Sequence, residues 1–323
     1  MPLSDWRGHD DQADAEWRTI YNLDYLKANI EGGEGYDWYY HAPEAAEAQR
    51  RTPITDGAHG EDWVFRYKDF RNWWGQEHYN RPGGVRDSAP TDWVPMSKPI
   101  LFCEYGCAAI DRGTNQPNKF LDDKSSESSL PKYSNGVRDD LIQRQYLRAM
   151  AGYWGDPANN PVSPLYEGPM LDMSRAFVWA WDTRPFPFFP NRQGLWSDGG
   201  NYYRGHWLNG RASARDLSSV VREIAARSGP DEVETRDLYG VVRGYELAEV
   251  STARSALEPL MLAFGFDAIE RDGKLEFVSR FLARRTSVDP EMLVAQPGDG
   301  ADLELERAPE AETAGRVRLT YLE

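Results

Sequence analysis

Two continuous apolar runs stand out along the chain, and each ends at a carboxylate. Residues 100–103 are followed by Glu104, and residues 176–181 are followed by Asp182. Apolar runs without alternation are typical of strands that are buried on both faces of a parallel sheet. An alternating run at 62–68 predicts a third, shorter strand. Since a carboxylate is costly to bury in an apolar core, we expect Glu104 at the mouth of the sheet, where α/β barrels carry their chemistry.

Helical periodicity follows these strands. Apolar residues three and four positions apart predict helices at 138–154, 213–228 and 252–264, and shorter helices are expected near 24–30 and 43–51. Strands that alternate with helices build parallel sheets, so the predicted fold class is α/β. The clear strands are nevertheless fewer than a closed (β/α)8 barrel requires.

A long loop, residues 69–97, separates the first two strands. It is rich in aromatic side chains, among them Trp73, Trp74, His78 and Trp93. Disordered segments are poor in aromatic residues, and long loops in compact domains are commonly functional. We therefore predict a folded loop over a pocket.

The character of the chain changes after residue 228. All twelve tryptophans lie at or before Trp207. Further on, an Asp-Gly pair at 272–273 between two short apolar runs predicts a β-hairpin. The pattern predicts two domains, 1–228 and 229–323, and an alternating run at 317–322 is expected to be a strand whose domain continues beyond the chain.

Charge and composition exclude several kinds of partner. The net charge of −15 argues against a nucleic-acid partner, because phosphate binding needs a basic surface. No apolar run approaches the roughly 18 residues that cross a membrane, and the first residues lack the basic start and apolar core of a signal peptide. Two cysteines, Cys103 and Cys107, are too few for a disulfide framework and are predicted to be free. The five histidines form no zinc motif, so we predict no metal and no cofactor.

Several longer motifs resemble a single family. They are Arg51-Thr-Pro-Ile-Thr-Asp-Gly57, Trp63-Val-Phe-Arg-Tyr-Lys-Asp69, Ser97-Lys-Pro-Ile100 through Glu104, Asn115-Gln-Pro-Asn118, Lys124-Ser-Ser-Glu-Ser128, Arg138-Asp-Asp-Leu-Ile-Gln-Arg144, Trp196-Ser-Asp198 and Gly205-His-Trp-Leu208. The family is the large baseplate or host-specificity protein of gene transfer agents and related prophage tails, which carries a glycoside-hydrolase-like TIM barrel.

The resemblance implies an architecture. Residues 1–228 resemble the C-terminal half of the (β/α)8 TIM-type barrel, and residues 229–323 resemble the start of the small α+β phage-tail hub domain that follows it. Family members are longer on both sides. The resemblance therefore implies that the early barrel strands, with the position of a glycosidase's acid/base carboxylate, lie outside this chain.

Glu104 matches the strand-end carboxylate that would be the nucleophile of a retaining hydrolase. Retention needs a second carboxyl group roughly 5–5.5 Å away, and inversion needs one at roughly 6.5–9.5 Å. The candidate within this chain is Asp182, at the end of the next strand. The alternative is that both carboxylates accept hydrogen bonds from loop backbone or pair with Arg184 or Arg66.

Other side chains are candidates for substrate binding. Trp181 lies near the mouth of the predicted sheet, where its aromatic face could stack on a sugar. Arg66 and Lys68 end the first predicted strand and could bind an anionic or hydroxylated ligand. Trp74 in the aromatic loop and Arg184 after the third strand complete the set. Core packing and ordinary surface charge are the structural alternatives for these residues.

Three functions follow from these features. The first is a structural component of a phage-like tail tip or baseplate, assembled in the bacterial cytoplasm with other tail proteins and copies of itself. The second is a cell-wall glycoside hydrolase that uses Glu104. The third is carbohydrate binding without turnover, to peptidoglycan or a surface glycan. Fold alone does not decide among them.

Overall fold

The computed structural model describes residues 1–8, 14–31, 37–122, 124–229, 232–247, 249–282 and 289. They form a mixed α/β structure with two compact units. The first consists of Met1–Asp216 with Tyr239–Val241, and the second of Leu217–Leu238 with the described residues from Val242 onward. The predicted strand at 317–322 lies outside the described residues.

Most helices are short. The α-helices are α1 (Leu23–Ala28), α2 (Pro43–Glu47), α3 (Phe70–Gly75), α4 (Asp140–Trp154), α5 (Phe188–Asn191), α6 (Leu217–Ala226) and α7 (Ala253–Phe264). Single turns of 3₁₀-helix lie at Ala15–Trp17, Asp62–Phe65, Pro82–Gly84, Met173–Arg175 and Arg280–Leu282, and a longer one at Ser197–Arg204.

The strands are also short, and most of them contain two residues. They are β1 (Trp38–Tyr39), β2 (Thr52–Pro53), β3 (Arg215–Asp216), β4 (Val233–Glu234), β5 (Val241–Val242), β6 (Phe266–Arg271) and β7 (Lys274–Ser279). β1 pairs with β2 in the antiparallel sense. β7 pairs antiparallel with β6 and parallel with β4.

Helix α4 is the centre of the first unit. Its N-cap is Asp139, whose Oδ1 accepts a hydrogen bond from the Ile142 backbone N–H at 3.0 Å. Tyr146, Met150 and Trp154 are buried on the helix. The helix predicted at 138–154 is confirmed, although it begins two residues later, at Asp140.

Two glutamines are buried on α4 in addition to its apolar side chains. The Gln143 amide donates to the backbone carbonyls of Cys107 and His206, and the Gln145 amide donates to the carbonyl of Tyr21. Polar side chains can be buried in this way when their hydrogen bonds are satisfied. The helix is therefore embedded on more than one side.

The two main predicted strands lie side by side in the parallel sense, in the first unit. Isolated parallel bridges join Ile100 to Leu171 and Tyr105 to Val178. The 3₁₀ turn Met173–Arg175 interrupts this pairing. Further along, Ala180 donates to His206 and accepts from the Leu208 N–H, which continues the parallel arrangement. The described residues form no closed barrel, and the half barrel stays a prediction.

Two predictions about the strands are wrong. Residues 62–68 do not form a strand, because Asp62–Phe65 is a 3₁₀ turn whose Arg66 N–H bonds to the Trp63 carbonyl. The runs at 100–103 and 176–181 are not buried on both faces. In the first, Leu101 and Cys103 are exposed while Phe102 is buried, and in the second, residues 177, 179 and 181 are exposed. In both runs, successive side chains alternate between an inner and an outer face, and a continuous apolar composition does not reveal this alternation.

The second unit has its own core of α6, α7 and the β6–β7 hairpin. Leu217, Val221 and Ile224 of α6 pack with Leu257 and Phe266. Helix α6 therefore belongs to this unit, so the division between the units falls after Asp216, whereas the predicted domain boundary follows residue 228. The helix begins at Leu217, later than predicted, because Arg215–Asp216 is a strand.

Local signals set the ends of α7 and the hairpin. The Thr252 hydroxyl accepts from the Ser255 N–H at 3.2 Å as an N-cap, and Gly265 ends the helix in the left-handed conformation. Asp272 and Gly273 both have positive φ, as a type I′ hairpin turn requires. The predicted helix and hairpin are confirmed.

Candidate functional site

An exposed apolar surface runs along the parallel strand segments of the first unit. Side chains alternate across a strand, so residues two apart share a face. Phe177, Trp179 and Trp181 are 61%, 51% and 63% exposed, and Leu101 on the neighbouring segment is 40% exposed. These four residues are here called the open face. Among the described residues, no aromatic ring packs against its three aromatic side chains.

Glu104 lies in a β-bulge beside the open face. Phe177 donates to the Phe102 carbonyl and accepts from the Tyr105 N–H, so that Cys103 and Glu104 together stand opposite one residue. Such bulges redirect side chains and are common near functional sites. Both bulged residues are exposed, and no hydrogen bond or ion pair of the described residues engages the Glu104 carboxylate.

Gly106 lets the two strand segments approach closely after the bulge. A Cβ at this position would lie 2.6 Å from the backbone carbonyl oxygen of Trp179, and the φ angle of 154° is one that other residues rarely adopt. The Trp179 N–H donates to the Tyr105 carbonyl at 2.9 Å beside it. The glycine thus sets the position of the exposed tryptophan.

Asp182 is held in an ion-pair network with Arg184. The guanidinium of Arg184 donates to both Asp182 carboxylate oxygens and, at 2.8 and 2.9 Å, to those of Asp198. The Trp207 indole N–H donates to Asp182 at 3.0 Å. Hydrogen bonding from Arg184 lowers the pKa of the Asp182 carboxyl below its ordinary value. The pairing with Arg184 was an alternative that the sequence left open, whereas no local pattern connects Asp198 or Trp207 to Asp182.

The remaining predicted binding residues lie elsewhere in the first unit. Trp74 is only 3% exposed, and its indole N–H donates to the Lys98 carbonyl at 2.8 Å. Arg66 pairs with Asp69 at 3.1 Å. Lys68 is buried, and its ammonium donates to the Pro2 carbonyl. The predicted catalytic and substrate-binding residues therefore do not form one common site.

A pocket of about 560 Å³, here called the loop pocket, is lined by Ile100 and by side chains between residues 61 and 79. Its aromatic lining residues are Trp63, Tyr67, Phe70, Trp73, His78 and Tyr79, and its charged ones are Glu61, Arg66, Lys68 and Asp69. The predicted pocket beside the folded aromatic loop is therefore present. Glu104, Asp182 and Trp181 are not among the described residues that line it.

The loop owes its fixed conformation to aromatic and ionic contacts. The His78 ring stacks on Trp93 with centroids 5.3 Å apart and also lies 4.9 Å from the Trp73 ring. Glu61 accepts two hydrogen bonds of 2.8 Å from Arg86. These hydrogen bonds lower the pKa of the Glu61 carboxyl. Such contacts between residues distant in sequence could not be assigned from local patterns.

Both cysteines are free, as predicted, although Cys107 is buried and Cys103 is exposed. Across the described ranges, no group of three histidine, cysteine, aspartate or glutamate side chains could hold a metal ion. Within the same ranges, no helix combines the length and the apolar character needed to cross a bilayer.

Comparisons with known proteins agree with the parallel α/β segments and the separate second unit. A model of the GTA TIM-barrel-like domain, where GTA denotes a gene transfer agent, matches residues 1–190, and a model described as a putative phage tail protein matches residues 252–323. The chain therefore belongs to the GTA TIM-barrel-like domain family, and a phage tail segment follows.

One solved structure is also similar. It is the virion of a native gene transfer agent particle, with 54% sequence identity over 26% of this chain and 19% of that chain, at a TM-score of 0.26. The match thus spans about a fifth of the particle chain. No curated protein matches the chain.

Proposed function

We propose that this chain is part of a structural protein in the tail tip or baseplate of a gene transfer agent or phage-like particle. The observation that carries this proposal is the order of the two family matches, a GTA TIM-barrel-like domain followed by a putative phage tail protein. The identity of 54% with part of a gene transfer agent virion supports it. Its partners are then other tail proteins and copies of itself.

The parallel segments support a finer proposal about architecture. We assign the segments around Ile100–Tyr105, Phe177–Ala180 and His206–Leu208 to consecutive strands of a TIM-type barrel. They are parallel and adjacent in chain order, as barrel strands are. The remaining strands would come from outside the described residues.

The localisation can be tested on particles purified from the producing cells. We expect antibodies against this chain to label one end of the tail in electron micrographs. Particles from a strain that lacks the gene are the control and should carry no label. Particles that assemble normally and never contain the chain would contradict the proposal.

A second function, contact with a host surface glycan through the open face, is favoured by the exposed indoles of Trp179 and Trp181. The electron-rich faces of these rings suit the C–H groups of a sugar ring. Binding is favoured over hydrolysis because a general acid needs a raised pKa, whereas Arg184 lowers that of Asp182. Glu104 remains the proposed nucleophile if hydrolysis occurs.

Sedimentation with purified peptidoglycan tests this second function. The double substitution of Trp179 and Trp181 by alanine should lower the bound fraction, while Leu262→Ala, at an exposed position in the second unit, should not. Release of soluble sugar by the wild-type chain and not by Glu104→Gln would replace binding with hydrolysis.

A further inference from the structure

We propose that the loop pocket is a binding site for an uncharged saccharide, separate from Glu104 and from the open face. The pocket volume of about 560 Å³ lies within the range of roughly 300–1,000 Å³ that small-molecule sites occupy. The proposal does not rest on the tail function or on glycan contact at the open face, since none of the four open-face residues lines this pocket.

The balance of charge in the lining indicates an uncharged ligand. The charged lining residues are two acids and two bases, Glu61, Asp69, Arg66 and Lys68. Arg86 donates to both carboxylate oxygens of Glu61, which also pairs with Arg81. Arg66 is neutralised by Asp69. An anion or a cation would have to compete with these pairs for its counter-charge, whereas hydroxyl groups can bond to the outer lone pairs and N–H groups of paired side chains.

Lys68 does not add a free positive charge to this lining. Its side chain is buried, and its ammonium already donates to the Pro2 carbonyl. Burial lowers the pKa of Lys68, because the charged form loses hydration. The Nζ of Lys68 is therefore engaged by a main-chain carbonyl and does not serve as the counter-charge of an anionic ligand.

The aromatic walls provide the surface on which a sugar ring would stack. Tyr67 is 74% exposed and Trp73 is 46% exposed, so both rings are accessible without rearrangement. The face of an aromatic ring carries negative potential, which attracts the weakly positive C–H groups along one face of a pyranose. Trp63 and Tyr79 add two further aromatic rings to the lining of the same pocket.

The walls are also held in place before a ligand arrives. The Arg86 guanidinium lies 3.4 Å from the centroid of the Tyr79 ring, and the same group binds Glu61. His78 donates to the Trp73 carbonyl at 2.6 Å while its ring stacks on Trp93. Preorganised side chains reduce the entropy lost on binding, which favours recognition of a small, weakly held ring.

Binding can be tested with the full 323-residue chain on an array of uncharged and anionic oligosaccharides. The strongest uncharged binder would then be titrated by calorimetry. We expect saturable binding of at least one uncharged oligosaccharide and no preference for its uronic-acid counterpart. Circular dichroism of every variant would verify that the fold is intact.

Three substitutions locate the site. Tyr67→Ala should weaken binding about tenfold, because it removes one stacking face. Tyr67→Phe keeps that face and should bind within about twofold of the wild type. Leu262→Ala, at an exposed residue of the second unit that belongs neither to the pocket nor to the open face, is the control and should leave the affinity unchanged.

Each contrary outcome would overturn the proposal. The absence of any uncharged binder would refute the pocket as a saccharide site, while leaving localisation to the tail unaffected. Preference for the anionic oligosaccharides would refute the charge argument. Loss of binding in Trp181→Ala with none in Tyr67→Ala would move the sugar to the open face, which supports the second proposed function and excludes the loop pocket.

Discussion

The open face and the loop pocket are two aromatic surfaces of the first unit, and they are built in opposite ways. Backbone hydrogen bonds between the strand segments position the open face. Among the described residues, no other aromatic ring packs against its two indoles and its phenyl ring. The loop pocket is set by side chains, with Glu61 held between Arg81 and Arg86 and His78 stacked on Trp93.

Both surfaces nevertheless lie next to residues that pack against helix α4. The Trp154 ring lies 5.6 Å from that of Phe70, which lines the pocket, and 6.4 Å from that of Phe102, which lies behind the open face. The difference shows that aromatic content alone does not define a small-ligand site. A concave lining with paired charges suits a single small ligand, whereas a row of rings along strand segments suits a broad surface.

The largest effect is expected at Gly106, which sets the open face. Gly106→Ala places a Cβ against the Trp179 carbonyl, a contact of 2.6 Å with backbone that cannot rotate away. We expect a loss of about 3 kcal/mol in the free energy of unfolding, measured by urea denaturation. Gly84→Ala is the control, because its φ is positive but no atom lies near the new Cβ; it should cost about 1 kcal/mol. Equal losses would show that steric contact does not set the open face.

The loop pocket should be most sensitive at Glu61. Glu61→Gln removes the charge that Arg81 and Arg86 share, and we expect a loss of about 2 kcal/mol near neutral pH. Because the pKa of Glu61 is lowered in the folded chain, its stabilisation exists above about pH 4.3 and disappears as the pH falls through the folded pKa.

The matched control is Glu77→Gln, at an exposed residue whose carboxylate accepts a hydrogen bond of 2.9 Å from the Tyr79 hydroxyl. This change should alter the free energy of unfolding by less than about 0.5 kcal/mol. A Glu61 variant as stable as the Glu77 variant at neutral pH would show that the ion pairs do not hold the pocket.

A change at Asp139 should affect both surfaces together, since this residue caps α4. Burial raises the pKa of its carboxyl to about 6, while Tyr21 donates a hydrogen bond to it at 2.8 Å. The folded chain therefore binds this proton more tightly than the unfolded chain, so stability should fall by about 1–2 kcal/mol from about pH 4 to about pH 6.

Asp139→Asn retains an oxygen for the cap and removes the ionisation. We expect the fall in stability over this pH range to disappear, as measured by denaturation at several pH values. Between pH 7 and 8 the two proteins should show parallel pH dependence. Persistence of the full fall in the asparagine variant would assign it to another group.

The smallest effect is expected at Trp181 on the open face. Because this side chain is 63% exposed, Trp181→Ala should change the free energy of unfolding by less than about 0.5 kcal/mol. Thermal unfolding of the variant checks this. A large loss would mean that the open face is covered in the folded protein and would remove the contrast with the loop pocket.

The sequence allowed good prediction where the determinants are local. The Thr252 cap, the Gly265 stop and the turn at Asp272 and Gly273 each depend on a few neighbouring residues. Burial of the runs at 100–103 and 176–181 was mispredicted, because an apolar side chain on an outer face cannot be distinguished by composition from one in a core.

Less of the candidate site could be predicted. The pairing of Asp182 with Arg184 was among the alternatives that the sequence left open, beside catalysis, loop backbone donors and Arg66. The Glu61–Arg86 pair joins residues 25 positions apart, which no periodicity indicates. The loop pocket was predicted as a feature of an aromatic loop, but its balanced charges appear only when the chain is folded.

A crystal structure of the chain with the strongest uncharged oligosaccharide of the array would test this contrast most directly. Our account predicts density for a sugar ring in the loop pocket, stacked against Tyr67 or Trp73, with Glu61 and Arg86 still paired. Density on Trp179 and Trp181 with an empty loop pocket would contradict it.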